Sequence, residues 1–134
     1  MWASGSKASS GLASASLLVD RGSFTPHDWI QTDLTLDDAA HDLDLSGIVP
    51  VGTTWVQLQV WISYTTANKF MFMRTKDYNM TETGMRLYTQ EANVPICQRP
   101  WLALGADRKL TYTLSAAGNT VAVISVVGWI VPAT

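Results

Sequence analysis

From residue 54 to residue 64 the chain alternates without a break. Val56, Leu58, Val60, Ile62 and Tyr64 fall on one face, and Trp55, Gln57, Gln59, Trp61 and Ser63 on the other. Successive side chains of an extended strand point to opposite sides, so a period of two sorts these residues cleanly, whereas an α-helix would scatter them around its circumference. The aliphatic face is assigned to a core. The opposite face mixes two tryptophans with two amides, which suits a surface covered by a partner, and Trp55 and Trp61 are therefore candidate interface residues.

The rest of the chain reads as further short β segments. Residues 33–36 and 41–45 alternate polar and apolar, with Asp37-Asp38 between them as a turn. Ser46-Gly47 and Pro50-Val51-Gly52 punctuate the next connection. Phe70-Met71-Phe72-Met73 is apolar on both faces. It reads as a central strand or as one lying under a second subunit, which adds Met71 and Met73 to the candidate interface. Phe70, Phe72 and Arg74 share a face that reads as core ending in a rim charge. Residues 84–90 form a strand through Met85, Leu87 and Tyr88. Pro95 excludes a regular central strand around it, because proline lacks the ladder donor. Residues 101–104 and 110–114 follow, Gly118-Asn119 suits a tight turn, and residues 120–131 are almost wholly apolar and β-branched, as in a strand buried on both faces.

About eight strands with frequent turn signals, and no segment with a helical apolar stripe, predict an all-β fold. The expected architecture is an antiparallel two-sheet sandwich, jelly-roll-like, over residues 17–134. Residues 1–16 are rich in Ala, Ser and Gly and bury too little to order themselves, so they read as a flexible N-terminal arm. Trp2 within it is the candidate contact of an arm that docks on a neighbour.

A chain of 134 residues fits one domain. Charged residues are 15% of it, below the roughly 25% of an average soluble protein, consistent with a partly covered surface. The net charge of −2 supplies no global field for nucleic acid or an anionic membrane. Lys69, Arg74 and Lys76, interleaved with Phe70, Phe72 and Tyr78, suit structure better than nucleic-acid binding. Residues 20–44 hold seven acids and one base, and residues 69–109 seven bases and four acids. These patches either pair between neighbouring copies or form ordinary solvated faces. Cys97 is the only cysteine. It excludes an internal disulfide and sites built on several thiolates, and its place between Ile96 and Gln98 in an apolar segment predicts a packed thiol. Neither a signal peptide nor a membrane-length apolar run is present, so synthesis in the cytoplasm is expected.

Catalytic equipment is not expected. His27 and His41 are the only histidines, and no nucleophile-elbow motif surrounds a serine. Asp37, Asp38, Asp42 and Asp44 cluster around His41, but the spacing is not that of a calcium loop. A solvated strand face is the favoured reading, with a bound cation left open. No cofactor or metal is expected.

The stretch His41-Asp42-Leu43-Asp44-Leu45-Ser46-Gly47-Ile48-Val49-Pro50-Val51-Gly52 resembles a segment of small virion proteins and fibre-tip domains of tailed bacteriophages. There a comparable turn feeds a long strand like residues 55–64, and the last strand closes as Val127-Gly128-Trp129-Ile130 does here. The resemblance covers roughly residues 40–131 and implies a jelly-roll-like sandwich, often trimeric, used as a head decoration, head-fibre or tail-fibre component, with no catalytic residues to transfer. The absence of a repetitive shaft or heptads before the domain favours a capsid decoration (cement) protein. Its expected partners are the major capsid protein and copies of itself as a homotrimer, its expected location the capsid surface. The alternative is a fibre tip that binds a host receptor or glycan, with Trp61 or Trp101 stacking on sugar.

Overall fold

The computed structural model describes residues 16–22, 27–76, 84–116 and 120–132. The arm, apart from Ser16, and with it Trp2, lies outside the described residues, as does the turn at residues 118–119. Ten strands are formed: β1 (Ser16–Asp20), β2 (Trp29–Ile30), β3 (Ala40–Asp44), β4 (Trp55–Ser63), β5 (Phe70–Thr75), β6 (Met85–Tyr88), β7 (Ile96–Gln98), β8 (Trp101–Ala103), β9 (Lys109–Leu114) and β10 (Val121–Pro132). The one helical element among the described residues is a 3-10 turn, Gln31–Asp33.

The strands make two antiparallel sheets. In the larger, β10 and β4 lie at the centre, with β1 and β2 along the free side of β10 and β7 and β8 along the free side of β4. In the smaller the order is β3-β9-β5-β6. β1 pairs residues 128–132 of β10 and β2 pairs residues 123–124, so the two are collinear. β7 pairs residues 60–62 of β4 and β8 pairs residues 55–57, so they are collinear as well. Counting each collinear pair as one interrupted strand turns ten elements into eight rows, the number the sequence pattern predicts. Numbered in chain order, the first row bonds the eighth, the second the seventh, the third the sixth and the fourth the fifth. That is one long hairpin rolled across two sheets, the connectivity of a jelly roll.

The core lies between the sheets. β4 contributes Val56, Leu58, Val60 and Ile62, as its alternation requires, and β10 contributes Ala122, Ile124 and Val126 from the neighbouring row. The smaller sheet answers with Leu43, Met71, Met73, Met85, Leu87, Leu110, Tyr112 and Leu114. Met71 and Met73 are 0% and 1% exposed, so they are internal packing and not a surface that a second subunit can reach. The same register turns Phe70, Phe72 and Arg74 outward, which reverses the reading of that face as core. Residues 33–36 do not form a strand. Leu34 and Leu36 pack on the core from an irregular segment, and the Thr35 amide donates to the Tyr112 hydroxyl (2.9 Å) in place of a strand partner.

The segment 41–52 has a clear structural role. Leu43, Leu45 and Val49 are buried while Asp42 and Asp44 point outward. The Asp44 carboxylate accepts from the Ser46 amide (2.9 Å). The amides of Ile48 and Val49 both donate to the Leu45 carbonyl, closing a turn. Arg108, itself at φ +57°, ties the turn down: its carbonyl accepts from the Leu45 amide (2.9 Å), and its Nη1 donates to the carbonyls of Val49 (3.0 Å) and Ser46 (3.2 Å). Residues 41–52 thus form a tied-down turn that delivers the chain toward β4.

Candidate functional site

Residues directly opposite in a ladder share a face, so the registers define the outer surface of the larger sheet. Ile130 is opposite Trp55, Gly128 opposite Gln57, Ser125 opposite Gln59 and Val123 opposite Trp61. Beyond β4, Ala103 is opposite Trp55, Trp101 opposite Gln57 and Cys97 opposite Trp61. On the other side Leu18 is opposite Ile130 and Asp20 opposite Gly128. Three tryptophans therefore stand on one face, with Trp55 45% and Trp101 40% exposed and Leu18 67% exposed at the margin. Trp61 is half-buried. An isolated exposed apolar residue means little, but an array of them on a single sheet face makes this the candidate interaction surface.

Two shallow depressions open on this face. The first, about 370 Å³, is bordered by Leu18, Asp20, Gln57, Arg99, Trp101 and Gly128. The second, about 300 Å³, is bordered by His27, Gln59, Trp61, Cys97 and Val123. Between them Arg99 Nε donates to Gln59 Oε1 (2.9 Å), which fixes the amide against the sheet. Cys97 is exposed, contrary to the packed thiol expected. It sits on the short strand β7 with its side chain on the outer face, while its neighbour Ile96 packs toward the core. His27 Nδ1 meets Ser125 Oγ at 2.9 Å. Ser125 is fully buried, and the described residues place no carboxylate at ion-pair distance from His27, so this serine–histidine contact lacks both access and the third member of a triad.

The margin of the face is held by an ion pair with backbone duties. The strand pair β10–β4 shifts register between Val126 and Gly128, a β-bulge, and here the flanking row is interrupted between β1 and β2. The Arg21 guanidinium donates to the Val126 carbonyl (3.0 Å) and the Asp28 carboxylate accepts from the Val126 amide (2.8 Å). Arg21 and Asp28 bond each other, with one contact at 2.9 Å. Side chains thus satisfy the backbone group that has lost its strand partner. Burial alone would push the Asp28 carboxyl up, but the Arg21 hydrogen bond and the Val126 amide outweigh it and hold the group below the ordinary carboxylate range. Gly128 completes the arrangement, because a Cβ there would meet the Val19 carbonyl oxygen at 2.6 Å.

The acidic cluster near His41 is dispersed among separate tasks. Asp37 contacts His41 Nε2 (2.8 Å), Asp38 accepts from the Ala116 amide (3.0 Å), Asp42 pairs with Lys76 (3.0 Å) and Asp44 caps Ser46. Among the described residues no group of three or more His, Cys, Asp or Glu gathers as a metal-ligand set. The Asp42–Lys76 pair joins the acidic and basic stretches of the sequence within one chain. No described helix is long and apolar enough to cross a membrane.

Of the sequence-predicted interface residues, the structure brings Trp55 and Trp61 onto one face and puts Met71 and Met73 in the core. Trp101 belongs with the first two, together with Arg99, Gln57 and Asp20. The signal for it was Pro100, which breaks the edge row, followed by Trp101 and Leu102 taking opposite faces. In comparisons with known proteins, no family model matches this chain and no curated protein matches it.

Proposed function

We propose that this chain is a structural virion protein of a tailed phage, a capsid decoration (cement) protein that docks on the outer shell and stabilises capsomer junctions. The observation that carries the reading is the outer face of the larger sheet, where Trp55, Trp61 and Trp101 stand together over the paired central strands β4 and β10. Tryptophans on a preformed sheet lose little freedom on contact and supply large buried area, the properties of interface anchors. The jelly-roll order agrees with what the resemblance of residues 41–52 implies. The N-terminal arm, Trp2 included, would extend the contact along a neighbouring subunit, with the major capsid protein and further copies of this chain as partners.

The test is binding of the purified protein to capsids stripped of decoration. Saturable binding at hundreds of copies per particle, lost on removal of residues 2–16 or on combining Trp55→Ala with Trp61→Ala, is the expected result. A handful of copies per particle, or undiminished binding by the truncated and doubly substituted proteins, overturns it. The second reading, a head- or tail-fibre tip, rests on the same face with its two depressions, and cell binding without capsid binding would favour it.

A further inference from the structure

The depression at the centre of the face has a lining that a flat protein contact does not need. Trp101 supplies an exposed indole. Gln57 stands directly opposite it across the β4–β8 ladder, and its Nε2 makes a long contact to the Arg99 carbonyl (3.5 Å). Arg99 commits Nε to Gln59, and among the described residues no ion pair joins it to Asp20 across the depression. Asp20 uses one carboxylate oxygen on the Gly22 amide (2.8 Å), leaving the other directed to acceptance. Gly22 and Gly128 border the space with backbone alone.

We infer that this depression is a saccharide-binding subsite, with Trp101 as the stacking platform and Gln57, Arg99 and Asp20 as the hydroxyl-recognising groups. The choice of ligand class follows from the mixture. A phosphate or carboxylate ligand would want donors only, and Asp20 opposes it. A cationic ligand would want acceptors only, and Arg99 opposes it. An apolar side chain would leave both charges desolvated without a partner, which is costly. A pyranose fits the whole set. Its C–H face lies on an indole, and each equatorial hydroxyl both donates and accepts, so it engages a guanidinium, an amide and a carboxylate together. A volume of about 370 Å³ accommodates one or two sugar rings.

The inference sharpens the host-binding reading of this face and rests on it for biological meaning, but the binding is a property of the isolated chain. Trp55 and Trp61 lie on β4 to either side of Gln57, which borders the depression, so a shell partner spanning both would close it, and a single copy serves one use at a time.

The experiment titrates the full-length protein with free glucose, galactose, mannose, N-acetylglucosamine and their β-linked dimers and trimers. It reads tryptophan fluorescence and the indole N–H resonances. The expected result is a saturable response to at least one sugar, centred on the Trp101 indole. Trp101→Ala and Arg99→Ala should each weaken it tenfold or more, and Tyr88→Ala, on the opposite sheet, should leave it unchanged. If Trp101→Ala perturbs folding, Arg99→Ala and Gln57→Ala carry the test, because neither side chain is in the core. No response to any of these sugars, or a response that survives both Arg99→Ala and Gln57→Ala, overturns the subsite. Sugar binding without adhesion to host cells would instead overturn the tip reading and leave the subsite standing.

Discussion

On the outer face of the smaller sheet, Phe70 stacks on Phe72 with ring centroids 4.4 Å apart, Tyr88 meets Phe72 edge-on at 5.6 Å, and the Arg86 guanidinium lies over Phe72 at 4.7 Å. Arg86 also donates to the Tyr88 hydroxyl (2.7 Å), and Lys76 reaches Asp42 nearby. The outer face of the larger sheet carries Trp55, Trp61 and Trp101, and none of them has a ring or cation–π partner among the described residues. Its charges, Asp20 and Arg99, border a depression without pairing. One face pairs its aromatic rings with one another and with Arg86, while the other leaves its tryptophans without such partners, although Tyr88 and Trp101 are equally exposed, at 40%. Aromatic content alone therefore does not single out the candidate docking face. Its distinguishing feature is aromatic area for which the described residues supply no ring or cation–π partner.

The contrast can be broken at several points. The largest effect belongs to neither face. Met73→Ala should cost about 2–5 kcal/mol in denaturant unfolding of the isolated chain, because it opens a cavity between the sheets. A near-neutral result would return Met73 to an interface. Next comes the open face: Trp55→Ala and Trp61→Ala should each weaken shell binding by at least about thirty-fold, a loss of about 2 kcal/mol typical of an anchor, with unfolding midpoints nearly unmoved. A large loss of stability without loss of binding would erase the distinction between the faces.

Two ion pairs sharpen the comparison further. Asp28, with 11% of its side chain exposed, serves the Val126 backbone, so Asp28→Asn should cost about 1–3 kcal/mol and speed hydrogen exchange at Val126. Its folded-state pKa is lowered, so its contribution is complete above the ordinary carboxylate value and fades as pH falls through the folded value. Acid should therefore loosen the β1–β2 margin of the larger sheet, seen as earlier exchange there than in β5 and β9. The exposed Lys76–Asp42 pair should matter least. Lys76→Ala should stay within about 0.5 kcal/mol, and Arg86→Ala should cost about 0.5–1 kcal/mol through the lost cation–π contact, with capsid binding unaffected in both.

The legible parts of the fold are those where burial alone dictates the pattern. The residues of β4 alternate because one side meets the core and the other does not, and their registry with β10 follows. Residues 70–73 carry no such information, since both sides are apolar. Their facing is decided by distant partners, Met85 and Leu87 on one flank and Tyr112 and Leu114 on the other, which point the methionines inward. Residues 33–36 imitate a strand because a segment crossing the end of a sandwich also buries alternate side chains. Cys97 misleads for the opposite reason: on a three-residue strand its apolar neighbour Ile96 packs toward the core while the thiol takes the other side. Trp55 and Trp61 could be read from local alternation, whereas Trp101, Arg99 and Asp20 come together only through pairing between strands far apart in the chain.

The interrupted outer rows carry a further consequence. The longest strands, β4 and β10, with nine and twelve residues, are both interior. Among the described residues every strand on a free side is five residues or shorter, and the two collinear rows are each divided into two short strands. A second chain seeking to add itself laterally would find, among the described residues, only short runs of unpaired peptide groups to template a ladder. Edges this short and broken disfavour lateral strand addition between copies of this domain and leave its broad outer faces as the larger surfaces for contact.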